Sequence, residues 1–321
     1  MSFFFLLAGY FTPRSYDKRG SRSFLSGRLI RLGIPLLIWI VFLAPLTSYI
    51  VVNFAHRRTI SFFDIWLVEV FSLEALLPTP FGHLWFLMAL FIFAGVYVLY
   101  RIITDRYAPN FSFKSYENSF PTNKMIVLSV AVIALGTFLV RVLFPIGVWV
   151  FSLQLAHMTH YIFCFWAGIL AYRGRWFNNL SGSQAKLWGI VALVDIIILP
   201  VVIVLGSKNG LDAFMGGLTW QSFSVAVWES FALLSVSILL LYVFRKKFNQ
   251  QGSLLRGMSP NAYTVYIIHQ LVIVSIMIPL LRIALPTTVK FVIVSLIAVP
   301  MSFLISHFII RKIPYANRVL G

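Results

Sequence analysis

The stretch RLIRLGIPLLIWIVFLAPLTSYIVV, residues 28–52, decides the fold. From Leu32 to Val52 it carries no charge, and at about 1.5 Å of rise per helical residue it covers the ~30 Å hydrocarbon core of a bilayer. Arg28 and Arg31 stand just before it, a basic collar of the kind that anchors a span at a membrane surface. Composition extends this reading to the whole chain. Of 321 residues 60% are hydrophobic and 11% charged, whereas a soluble globule carries about 25% charged residues. Apolar segments near 83–100, 125–144, 153–172, 187–206, 220–244, 259–280 and 289–310 bring the full spans to eight. Lipid-facing backbone must satisfy its own hydrogen bonds, so each is expected to be helical. The fold class is therefore all-α, a polytopic transmembrane bundle forming a single domain over residues 1–321.

The net charge of +17 is explained by topology. Lys and Arg lie in short clusters between spans, and no basic face interleaved with aromatic residues is left for a nucleic acid. Arg14, Lys18, Arg19 and Arg22 lead into Arg28; Arg101, Arg106, Lys114 and Lys124 follow two spans later; then come Arg173, Arg175 and Lys186, then Arg245, Lys246, Lys247 and Arg256, and finally Arg311, Lys312 and Arg318. The intervening loops are poor in such charges, and the one from Asn53 to Gly82 carries Asp64, Glu69 and Glu74. The positive-inside rule puts the basic loops and the C-terminus in the cytoplasm of a multi-pass membrane protein. Residues 60–76, ISFFDIWLVEVFSLEAL, are expected to form an interfacial or re-entrant helix on the outer side. The one cysteine, Cys164, lies inside an apolar segment and reads as a small buried residue.

The opening run Phe3–Phe11 is too short to span, and no Lys or Arg precedes it as in a signal peptide. With residues 12–31 cytoplasmic, it is expected to be the inner half of a helix whose outer half is not encoded here.

Ionisable groups at membrane depth are costly and are candidates for function. By helical rise Asp195, Glu229 and His269 lie ~12–15 Å deep. They either share a polar interior or act as hydrogen-bonding glue between helices. Glu229 has no cation within a helical turn of its own segment. Nearer the outer surface lie His83, in GHLWFL, with Arg141, His157 and His160. His83 could serve as a base or as an interfacial cap beside Trp85. His157 and His160 share a helix face at metal-ligand spacing, but no neighbouring carboxylate or cysteine completes a set, so no metal site is expected. Arg28 and Arg31, three apart, offer two guanidinium forks suited to phosphate oxygens. The chain holds no P-loop, GxGxxG, HExxH or GxSxG.

Several stretches together resemble the acyltransferase-3 family of integral membrane O-acyltransferases: SFFFLLAGYFTPRSYDKRG at 2–20, FLSGRLIRLGIPLLIW at 24–39, HLWFL at 83–87, VWESF at 227–231 and FRKKFNQQGSLLRGMSPNAYTVYIIHQLVIV at 244–274. The resemblance implies about ten helices and transfer of an acetyl- or succinyl-type group from cytoplasmic acyl-CoA, a co-substrate rather than a resident cofactor, to a hydroxyl of an extracytoplasmic carbohydrate, as in modification of cell-envelope glycans. It implies that Arg28 and Arg31 bind acyl-CoA, and it matches Glu229 and His269 to polar residues of later helices. The family's catalytic base, a His on a first helix, has no counterpart here, which leaves the catalytic residue unassigned, with Glu229, His269 and His83 as polar-site candidates. On that reading the chain is expected to be inactive or nearly so. The rival readings are a secondary transporter or flippase of a polar or lipid-linked substrate, and an inactive fragment of the acyltransferase.

Overall fold

A computed structural model describes residues 1–72, 81–107, 119–207, 210–248, 250 and 252–320, leaving out the side chains at 317 and 318. Every long element among the described residues is helical, and no strand forms. Seven helical runs are long and apolar enough to cross a membrane: Ser2–Ala55, Gly82–Tyr107, Asn123–Leu143, Gly182–Gly206, Trp220–Lys247, Ser253–Leu281 and Thr287–Lys312. The fold class stands as expected, while the count of spans differs in two places. The helix expected over 153–172 is Met158–Arg173, 16 residues, short of the roughly 20 that a perpendicular crossing needs. The opening fragment and the 32–52 span join into one run of 54 residues.

That junction corrects the reading of residues 12–31 as a loop. Helix α1, Ser2–Arg28, continues through Pro13 and changes direction at Gly20, whose φ of 72° interrupts the helical backbone. Beyond it the chain alternates between α and wider π turns: π at Leu29–Gly33, α2 at Ile34–Ile38, π at Trp39–Leu43, α3 at Ala44–Ile50, and π at Val51–Ala55. Pro35 and Pro45 explain the first two π segments. A proline has no N–H for the carbonyl four residues back and its ring pushes that carbonyl aside. The carbonyls concerned, Arg31 and Val41, sit inside the π segments, and each receives a side-chain donor instead: the Tyr263 hydroxyl for Arg31 and the Trp66 indole N–H for Val41 at 2.8 Å.

Trp66 belongs to α4, Phe62–Phe71, which Ser61 caps by accepting the Phe63 N–H at 3.2 Å. This is the helix expected within 60–76; residues 73–76 and Lys114 lie outside the described residues. The remaining helices are α5, Trp85–Tyr107; α6, Asn123–Leu143; α7, Met158–Arg173; α8, Gly182–Gly206; α9, Trp220–Lys247; α10, Ser253–Met258; α11, Ala262–Leu281; α12, Thr287–Phe308; and α13, Ala316–Leu320.

The chain divides into two compact units interleaved in sequence. The first comprises Met1–Phe24, Val96–Val150 and Gln154–Gln250. Here α9 packs along both α8 and α6. At one end of this unit Asp17 accepts from Arg101 at 3.0 Å and pairs with Arg173 through both carboxylate oxygens, at 2.7 and 3.1 Å. Arg245 donates there to the carbonyls of Phe177 and Leu180. At the other end the loops after α6 and α8 meet, with Ile146 N–H on the Met215 carbonyl at 2.7 Å and Gly217 N–H on the Arg141 carbonyl at 3.2 Å. The second unit comprises Leu25–Gly95, Phe151–Leu153 and Gln251–Gly321. Its core gathers Leu32, Leu36 and Trp39 with Leu84 and Leu87 of the 82–87 stretch and Ile267, Ile268 and Val272 of α11.

Candidate functional site

Four of the sequence-selected groups, Arg141, His157, His160 and Glu229, are drawn together in the first unit by helices α6, α7 and α9. Arg141, in the last turn of α6, is fully buried. Its Nη2 donates to Glu229 Oε2 of α9 at 2.5 Å, and its Nε donates to the Ala156 carbonyl at 3.3 Å. The same Nη2 lies 3.2 Å from His157 Nδ1. A guanidinium only donates, so His157 Nδ1 accepts and its ring proton sits on Nε2. His160, on α7, places Nε2 at 4.0 Å from the same carboxylate oxygen. The cation that Glu229 lacks within a turn of its own helix comes from another helix, beyond the reach of a search along the sequence.

The reading of His157 and His160 as lacking a carboxylate is corrected in the same way, because ligand atoms of His157, His160 and Glu229 lie within 4.8 Å of one another. The donor set nevertheless suits a cation poorly. Arg141 already brings a fixed positive charge against Glu229 Oε2, where a metal would have to sit. Beside the cluster is a cavity of about 410 Å³, whose wall includes His157, His160, Tyr161, Trp228 and Glu229. A carboxylate, two imidazoles and two aromatic rings around one space can accept and donate hydrogen bonds to a polyhydroxyl molecule. Asp195 stands apart from this group. It is 6% exposed and accepts from Ser235 at 3.2 Å, while its carbonyl takes the Trp228 indole N–H at 2.7 Å. These contacts tie α8 to α9, the glue role weighed for it.

The second unit brings His83 and His269 together, with ring centroids 4.6 Å apart. The Tyr266 main chain organises both rings. Its carbonyl lies 3.0 Å from His83 Nε2 and 2.8 Å from His269 Nδ1. A carbonyl only accepts, so each of those nitrogens carries a proton. The Tyr266 hydroxyl reaches back to the His83 carbonyl at 2.6 Å. His83 Nδ1 meets the Gln270 side-chain amide at 2.5 Å, and Trp39 packs edge-on against the His83 ring at 4.5 Å. Gly82 allows this approach: at φ 47°, a Cβ there would stand 3.1 Å from the Trp39 indole. His83 is thus more than an interfacial cap. His269 and Glu229, weighed as members of one polar interior, fall in different compact units, each with its own partners.

Arg28 and Arg31 flank the start of the first π segment, and Arg31 is exposed. The Tyr263 hydroxyl donates to the Arg31 carbonyl. Arg31 has no ion pair among the described residues. Sequence reasoning missed Tyr263, Tyr266 and Gln270, although the stripe was visible: in AYTVYIIHQ the polar side chains recur at spacings of three and four, one face of a helix.

The family model of acyltransferase-3, described as an acyltransferase domain, matches residues 1–307. No curated protein and no solved structure gives a match.

Proposed function

The chain belongs to the acyltransferase-3 family, multi-pass membrane acyltransferases, and on that premise we propose that it moves an acetyl- or succinyl-type group from cytoplasmic acyl-CoA to a hydroxyl of an extracytoplasmic carbohydrate. The observation that carries the donor half is Arg31: an exposed guanidinium without an ion pair among the described residues, its backbone braced by Tyr263, one turn from a second arginine. Arg28 and Arg31 hold the CoA phosphates, for which a planar fork is better suited than a point charge. The Glu229 cavity, with Trp228 and Tyr161 beside it, offers hydrogen-bonding groups suited to a carbohydrate. In the transfer the hydroxyl oxygen attacks the thioester carbonyl, a C–O bond forms and the C–S bond breaks. The proton given up by the hydroxyl returns on the departing thiolate. No resident cofactor is required by this chemistry, and acyl-CoA enters and leaves as a co-substrate.

The test is binding of acyl-CoA to detergent-solubilised protein. Replacing both arginines with alanine is expected to weaken it by a few kcal/mol, since hydrogen bonds to charged groups contribute roughly 1.5–3 kcal/mol each. Lysine at both positions should restore part of the loss, and added salt should weaken the wild-type complex. Unchanged affinity in a folded, membrane-inserted double alanine variant would overturn the reading.

A further inference from the structure

We propose that His269 Nε2 is a hydrogen-bond acceptor for an amide N–H of the pantetheine arm of the acyl donor, six residues along α11 from the tyrosine that braces Arg31. The proposal rests on the donor reading above and adds a subsite to it.

Tyr266 carbonyl oxygen can only accept, and His269 Nδ1 lies 2.8 Å from it. The Nδ1 proton is therefore committed to the backbone, and a neutral ring keeps its lone pair on Nε2. That nitrogen meets no hydrogen-bond partner among the described residues, and the His269 side chain is only partly buried. His83 differs: Nε2 is used by the same carbonyl and Nδ1 by Gln270, so neither nitrogen is left over. Of the two rings, one is the brace and the other carries the open acceptor.

Position along the helix gives the ligand. Tyr263, whose hydroxyl holds the Arg31 carbonyl, precedes His269 by six residues on α11, about 9 Å at the helical rise. A donor fixed by its phosphates at Arg28 and Arg31 would carry its arm into a unit whose core, Leu32, Leu36 and Ile267 among it, is apolar. The arm carries two secondary amides, and an amide N–H taken from water into such surroundings is unfavourable unless it finds an acceptor. His269 Nε2 supplies one. His83, held by Tyr266, Gln270 and Trp39, keeps the neighbouring ring from turning away.

Binding of two probes separates the possibilities: CoA itself, with phosphates and arm, and adenosine 3′,5′-bisphosphate, with phosphates and no arm. In His269→Ala, CoA is expected to bind about five- to tenfold more weakly, the scale of one lost neutral hydrogen bond, with the bisphosphate unchanged within twofold. His269→Gln, whose amide oxygen can occupy the Nε2 position, should recover most of the CoA affinity. Thermal unfolding of each variant reports on folding. The proposal is overturned if CoA binding is unaltered in His269→Ala, if both probes weaken alike, or if turnover falls a hundredfold while CoA affinity holds, which would make the imidazole a base instead. Should the wild-type protein bind neither probe, the donor reading itself fails; should Arg28→Ala weaken both probes while His269→Ala weakens neither, only the subsite fails.

Discussion

Arg141 shows what a single residue can conceal in a sequence. It sits near the end of an apolar segment, where a cation is usually a surface anchor, and its own helix offers no acid. In the folded chain its side chain has no exposure, and it serves a carboxylate 88 positions away. Long-range pairing of this kind follows from helix packing, which spacing along one helix does not encode. The pair also has an energetic signature. Breaking a buried pair leaves one charge uncompensated and costs about 3–5 kcal/mol. Glu229 keeps 22% side-chain exposure, so Arg141→Ala should destabilise by about 3 kcal/mol, the low end of that range. Glu229→Gln should cost less, since its carbonyl can still accept from Nη2. In a double-mutant cycle followed by unfolding in detergent, the doubly substituted protein should be more stable than the sum of the single losses implies. Additive losses would mean that the two groups do not act on each other.

Helix α1 passes α7 at a distance that only glycine allows. A Cβ at Gly9 would lie 2.0 Å from the Phe165 carbonyl oxygen, and one at Gly168 would lie 2.1 Å from that of Leu6. Both obstacles are backbone, which cannot rotate aside as a side chain can. Such small-residue contacts are how membrane helices gain close van der Waals packing without a hydrophobic driving force. Gly9→Ala and Gly168→Ala should therefore each destabilise the first unit by about 1–3 kcal/mol or more, as in overpacked cores. Gly95→Ala, where nothing lies within 4 Å, should be neutral or stabilising because alanine favours the helix. Equal melting temperatures for all three variants would contradict the close approach. At this scale the apolar runs and both glycines were legible, whereas their meeting was not. The two prolines at 35 and 45 were equally visible, yet the widened turns depend on which donors rescue the Arg31 and Val41 carbonyls, and those arrive from α11 and α4.

Across the molecule, hydropathy made the helical class legible because a bilayer leaves the backbone few alternatives. What it blurred was where one helix stops and the next begins: α1 reads as a fragment plus a basic loop because six cations lie between Arg14 and Arg31, and charge alone does not end a helix when Asp17, Arg101 and Arg173 join into a network. That network also bears on topology. Arg101 and Arg173 come from basic segments that alternation assigns to one side, and in the first unit they meet at Asp17, while the loops after α6 and α8 meet at the other end. The arrangement makes a prediction about sidedness. Single cysteines replacing the exposed Arg175 and Lys246 should react with a membrane-impermeant maleimide only after the cytoplasmic face is opened. Cysteines replacing Trp149 and Leu218, 40% and 79% exposed, should react in intact cells. Native Cys164, 1% exposed, stays in place as the unreactive control. Reversed labelling would invert the orientation of the chain. Labelling of all four sites from one side would break the alternation itself, since helices α6, α8 and α9 could then not each run from one end of the unit to the other.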